Sequence, residues 1–341
     1  MAGRRRPAAR SVAVALVGAA IAGASGCADG TADDPLQVAD TLSAATPALS
    51  PPPAAEPAGA VLPLGAPARA TVVEPATRTL AVAVAEPDRL LLYDLRRPDA
   101  APRTVALPGA VDQLDLGADG ELLAPVPSAG ALLRITLTGP EPAVHSTMVD
   151  GRPVAAAAVG ARTVVAADDK VLVLDGDTVV HTVTGFAGAA DVVAADGRAA
   201  VLDRPRTALI TVDPAQGRTG LGLRAGNGAT NAVGDRFGRV LVTDTRDGEL
   251  LAFGAQPLIM RQRYPVPGAP YAIAYDRQRD LAWVTLTERN EVVGFDMAGG
   301  EPVERYRMAT VRQPNAVAVD ADSGTVVVAS GTGEGIQVVQ P

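Results

Sequence analysis

Asp112, Asp191, Asn231, Tyr271 and Asn315 are the residues of this sequence best placed by spacing to act together. Each follows a three-residue junction of one form: Gly109-Ala110-Val111, Gly188-Ala189-Ala190, Gly228-Ala229-Thr230, Gly268-Ala269-Pro270 or Arg312-Gln313-Pro314. Carboxylate and amide oxygens converging on one point suit a hard cation such as Ca²⁺. The same groups suit a polyol-like ligand held by hydrogen bonds. Asp and Asn are also the residues that satisfy backbone groups at turns. Spacing alone leaves these readings open, and it names no particular metal.

The rest of the usual catalytic inventory is missing. His145 lies ten residues before Ala155 and His181 ten before Asp191, which puts both on outer strands, away from the five residues above and from each other. A histidine base at the site is therefore not expected, nor is a serine triad. The single cysteine excludes a Cys/His zinc pattern. The glycine-rich stretch Gly331–Gly335 has no helix pattern after it, so it is a turn and not a phosphate loop. The chain carries −8 overall, and four arginines sit in its first 26 residues, so the remainder is more acidic still. Nucleic acid is not expected as a partner, because phosphate contacts need clustered Lys or Arg and Lys170 is the only lysine. No catalytic residue is assigned, and the balance favours binding over catalysis. The alternative is a metal-dependent hydrolase or lyase built on the carboxylate and amide ring, with Ca²⁺ as the one candidate cofactor.

What would bring the five residues together is a repeat. Adding Gly65-Ala66-Pro67 and Arg152-Pro153-Val154 to the junctions gives seven, and the residues that follow are Ala68, Asp112, Ala155, Asp191, Asn231, Tyr271 and Asn315. Their spacings are 44, 43, 36, 40, 40 and 44 residues. A period of this length with several short strands per unit is the mark of a β-propeller blade. Only 3% of residues are aromatic, so packing rests on Val, Leu, Ile and Ala. The 35 Gly and 28 Pro leave few windows long enough for a helix. The spacing predicts an all-β, seven-bladed propeller over residues 60–341. The last unit is short of one strand, and Ala60–Gly65 is the strand that would close it, removing an open edge.

Second strands such as Ala282-Trp283-Val284-Thr285 and third strands such as Gly294-Phe295-Asp296 follow the Pro270-Tyr271-Ala272-Ile273-Ala274 junction. With Pro314–Val339, these resemble the YVTN and NHL-type propeller repeats, which carry a Pro-x-x-(Ile/Val)-Ala junction, a Tyr-Val-Thr-Asn-like second strand and a Val-Ile-Asp-like third strand. The resemblance covers about residues 60–341, is clearest in the last three units and is worn down in the second and third. It implies a fold more than an activity. Antiparallel connectivity would place Glu86, Asp168, Asp203 and Asp244 on the same face as the junctions, further from the axis.

The N-terminus speaks to location. Arg4, Arg5, Arg6 and Arg10 form a basic start, and Ser11–Gly26 is uncharged and mostly apolar, too short for a span of about 20 residues. The sequence then reads Ala24-Ser25-Gly26-Cys27, which resembles a bacterial lipobox with Ala in place of the usual Leu. Residues 1–26 are expected to be a lipoprotein signal peptide and Cys27 the lipidated residue. A lone cysteine in an exported protein has no internal disulfide partner. Residues 27–59, with Pro47, Pro51, Pro52, Pro53 and Pro57, are expected to be a tether that extends rather than packs. The excess of Arg, Ala and Gly fits a GC-rich, actinobacterial source. The whole points to a lipid-anchored propeller on the extracytoplasmic face of the cell membrane. It would bind a protein partner or a small polar ligand in the envelope, or act there as a scaffold.

Overall fold

The computed structural model describes residues 42–139 and 141–341, together with Met1, Gly3 and Leu36. Apart from Met1 and Gly3, the expected signal segment lies outside them, as do Cys27 and most of residues 28–41.

Short Val- and Ala-rich runs become strands because turn residues cut them at four to eight positions. The Asp196-Gly197 pair shows how: its φ angles are +47° and +73°, the left-handed pair of a two-residue hairpin. It joins Thr178–Ala195 to Arg198–Asp203. Elsewhere an acid at the end of an inner strand accepts backbone N–H groups of its own turn. Glu74 accepts from Ala76 and Thr77 at 2.9 and 2.7 Å, and Asp276 accepts from Gln278 and Arg279 at 2.9 and 3.1 Å.

The strands of the described residues pair antiparallel, all but one pair with chain neighbours, and the architecture is a β-propeller. The seven separate blades expected from the repeat need correction, for among the described residues the strands form six hydrogen-bonded sheets, five of four strands and one of six. The six-stranded sheet covers two sequence units, from Pro153–Val159 to Arg218–Arg224. Two long strands run through it, Arg162–Asp175 with 14 residues and Thr178–Ala195 with 18. Asp168 pairs with Ala189, so the ladder continues where a break was expected.

Closure by the N-terminal strand is observed. Ala60–Leu62 pairs with Ile336–Val339 through Ala60–Val338, Val61–Gln337 and Leu62–Ile336, completing the sheet that holds Pro314–Asp320 and Thr325–Ser330. The first and last sheets also share one core. Leu80, Val82 and Tyr93 pack with Val327, Ala329 and Ile336. Arg78 pairs at 2.7 Å with the fully buried Asp320 across the same seam.

Burial follows radial position. Second strands such as Thr79–Val84 and Leu281–Leu286 are buried throughout, because stacked sheets cover both faces. Outer strands such as Ala143–Met148 and Val303–Ala309 are mostly exposed. Residues 36–341 form one compact unit, and among the described residues no helix is long and apolar enough to cross a membrane.

Candidate functional site: the channel and its mouth

The inner strands leave a central cavity of about 1190 Å³. Crowding near the axis favours small side chains, and the wall is rich in them: Ala70, Ala155, Ala157, Ala272, Ala316 and Ala318. This is where much of the alanine in the sequence is used.

Asp112, Asp191, Asn231, Tyr271 and Asn315 all line this cavity, so the repeat does bring them around one space. The side-chain oxygens of Asp112, Asp191 and Asn315, however, have protein partners. Asp112 is exposed and pairs with Arg69 at 2.8 Å. Asp191 is buried, and its two oxygens accept from the backbone N–H of Val192 at 2.8 Å and of Ala232 at 2.9 Å. Asn231 donates to the Tyr271 carbonyl at 3.0 Å, and Asn315 accepts from the Gln313 amide at 3.0 Å. A Ca²⁺ ion here would require Asp112 to leave Arg69 and Asp191 to give up two short hydrogen bonds. As arranged, the ring is a poor match for a cation.

Asp115, which the repeat spacing does not single out, also lines the cavity. Its carboxylate accepts from the Leu116 N–H at 2.7 Å. Burial, reinforced by the nearby charge of Asp191, pushes Asp115 up to about 7 against the Leu116 hydrogen bond. Burial likewise raises Asp191 to about 6, held in check by its two backbone donors and by Arg204. Near neutrality the pair can therefore hold or release a proton. The signal was an acid at an inner-strand position in Gln113-Leu114-Asp115-Leu116, where the other units place the small, uncharged Thr71, Ala158, Ala194, Gly234, Ala274 and Ala318.

The remaining acids serve the fold. Asp203 and Asp244 are fully buried. Asp203 accepts from Ala187 N–H at 2.8 Å and Arg206 at 2.9 Å, and Asp244 accepts from Asn227 N–H at 2.7 Å. Glu86, at a turn, and Asp168, at an irregularity within the strand Arg162–Asp175, have φ of +57° and +56° and reach the cavity wall. Among the described residues one acidic trio converges, Asp244, Asp247 and Glu249, but Arg263 pairs with Glu249 at 2.6 Å and lies 3.5 Å from Asp247. His145, on Ala143–Met148, is exposed and bonded to Asp177 at 2.9 Å, and His181 lies on Thr178–Ala195 opposite Val173. Neither borders the cavity.

Part of the stretch expected to be a tether lies across the mouth. Residues 42–59 carry no regular structure, yet Ala45 and Ser50 are buried, and Ala44–Pro47 border the cavity. Arg204 donates to the Ala45 carbonyl at 2.6 Å, so one guanidinium faces both this segment and Asp191. Ser50 donates its hydroxyl to the Thr287 carbonyl at 2.6 Å. Composition alone hid this, because Pro and Ala give little apolar pattern and the partners lie more than 150 residues away.

No protein-family model matches the chain, and no curated protein sequence matches it. Solved structures do. Hydrazine synthase from Kuenenia stuttgartiensis is 14% identical with a TM-score of 0.68, covering 83% of this chain and 97% of its own. A streptogramin B lyase is 13% identical with a TM-score of 0.67, covering 82% and 95%. A catalytically inactive virginiamycin B lyase from Staphylococcus aureus, solved with quinupristin, is 12% identical with a TM-score of 0.70, covering 84% and 100%. At such identities the likeness establishes a β-propeller fold, and activity has to be argued from this chain's own residues.

Proposed function

We propose that this protein is an exported, lipid-anchored β-propeller that binds a small polar ligand in its central channel, on the outer side of a bacterial cytoplasmic membrane. The observation that carries the binding half is the cavity of about 1190 Å³ with Asp115 and Asp191 on its wall. A concave space with a few polar groups on small apolar walls is the usual form of a small-molecule site. Asp112 is neutralised by Arg69, and Arg204 is engaged with Ala45, so Asp115 and Asp191 are left as the acceptors with adjustable charge. They suit a ligand that presents hydrogen-bond donors, an amine or a polyhydroxyl compound. That a lyase of like fold was solved with quinupristin supports the use of such a fold for small molecules. Catalysis by a histidine has no support in this cavity, and the Ca²⁺-dependent hydrolase or lyase is the weaker reading because Asp112 is paired with Arg69 and the Asn315 oxygen with Gln313.

The ring itself we read as sevenfold, with the six-stranded sheet two blades run together. Its support is the seven repeat junctions and the pairing of Asp168 with Ala189 at the point where the two units join.

The anchoring half rests on Ala24–Cys27 and the basic, apolar start before it. Thioether-linked diacylglycerol with an N-acyl chain supplies enough lipid for stable attachment. Cys27→Ala should shift the protein from the membrane fraction to a soluble or precursor form, read by fractionation and intact mass. Equal membrane retention and normal maturation of that variant would end the lipoprotein reading.

A further inference from the structure

Most of the contacts that hold residues 43–51 are of one kind. Arg246 donates to the Ser43 carbonyl at 2.9 Å and Arg204 to the Ala45 carbonyl at 2.6 Å. The Gln313 side chain donates to the Ala48 carbonyl at 2.9 Å and accepts the Ser50 N–H at 3.0 Å. Asn290 donates to the Pro51 carbonyl at 2.9 Å, and Arg312 reaches the Ser50 carbonyl at 3.4 Å. Six main-chain groups of one segment are thus read by side chains from separate turns and junctions of the propeller.

Two of those side chains are more than nine-tenths buried: Gln313 is 7% exposed and Asn290 4%. They also hold each other in place, since the Asn290 side-chain oxygen accepts the Gln313 N–H at 3.1 Å. A side-chain amide that pairs with one carbonyl and one N–H of an extended chain reads backbone, not side chains. The segment suits such reading. Pro47, Pro51, Pro52 and Pro53 favour an extended conformation without internal hydrogen bonds, which leaves the carbonyls free and lowers the entropy lost on docking. Side-chain hydrogen bonds are confined to two serines: the buried Ser50 hydroxyl donates to the Thr287 carbonyl and accepts the Gln313 N–H at 3.1 Å, and the Ser43 hydroxyl accepts from Arg246 at 3.3 Å.

We propose that this face of the propeller is a binding groove for an extended, proline-rich polypeptide with small side chains, and that residues 43–51 are its resident ligand held in cis. The inference stands apart from the cavity ligand: the groove is built from turn and junction side chains, whether or not Asp115 and Asp191 bind anything. Tethering raises the effective concentration of the resident segment to about the millimolar range, so a competing chain gains access only where that segment is released or outcompeted.

The test uses the full chain with residues 42–52 exchanged for an equal length of Gly and Ser, and a labelled peptide of the natural sequence Leu42–Pro52 followed by fluorescence anisotropy. The peptide should bind the exchanged chain and bind the natural chain at least tenfold more weakly. Gln313→Ala in the exchanged chain should weaken binding at least tenfold, and Ser50→Ala in the peptide should weaken it as well. No binding to an exchanged chain that melts cooperatively would overturn the proposal, as would equal binding to both chains. Should the exchanged chain fail to fold, amide exchange in the natural chain decides. The Ser50 amide should be protected and should lose at least tenfold of that protection in Gln313→Ala; unchanged exchange would refute the groove.

Discussion

A chain lacking Ala60–Leu62 is expected to melt about 10 °C below the intact chain and to aggregate from its folded state. Three cross-strand pairs vanish with that strand. Each hydrogen bond is worth roughly 1 kcal/mol net, and Leu62, partly buried against the first-and-last-sheet core, adds about 1–2 kcal/mol. A domain of this size shifts by roughly 2–4 °C per kcal/mol. The deletion also frees the edge of Ile336–Val339, which pairs with nothing else on that side. Exchanging exposed Pro52–Glu56 for Gly and Ser is the control, and it should move the melting temperature by no more than about 1–2 °C. Equal melting of the two variants by calorimetry would show that the strand does not close the ring.

The second large effect is a dependence of stability on pH. Asp115 rises from 3.8 to about 7 and Asp191 from 3.8 to about 6, chiefly through burial. A raised carboxyl means that the folded chain holds more protons than the unfolded chain between these values. Stability should therefore fall as pH climbs from about 4 to 7, once the other acids are subtracted. Asp115→Asn keeps an acceptor for the Leu116 N–H and removes the charge. It should flatten that slope and stabilise the chain at pH 8 by on the order of 2 kcal/mol, because the buried charge and its repulsion with Asp191 are both gone. Urea titrations of the two chains at pH 5 and pH 8 measure this. A variant equally or more destabilised at pH 8 than at pH 5 would mean that Asp115 is ionised at no cost in the folded chain.

The repeat was legible because blade junctions are local: Gly-Ala-Pro-like triplets and the strands after them carry their signal within a few residues. The ring closure was legible too, since a final unit short of a strand and a spare apolar stretch at Ala60 fit one another. The merging of two units was not, because it depends on a ladder between Asp168 and Ala189 that no local turn signal forbids. At the site, the position of Asp112, Asp191, Asn231, Tyr271 and Asn315 followed from the period alone. Their engagement did not. Whether Asp191 is free or bonded depends on the Ala232 N–H of a neighbouring inner strand, 41 residues away. The docking of residues 43–51 was hidden for the same reason, since Gln313 and Asn290 contact a segment more than 230 residues earlier.

The most direct measurement on the channel is the native mass of the full chain released from its own membranes in mild detergent, at pH 7. One polar organic molecule, on the order of a few hundred daltons for a cavity of this scale, should be bound, and the double variant Asp115→Asn with Asp191→Asn should lose it while still melting cooperatively. A chain that carries no small molecule, or a double variant that retains it in full, would contradict ligand binding in the channel. A bound Ca²⁺ ion in its place would hand the site to the metal-dependent reading.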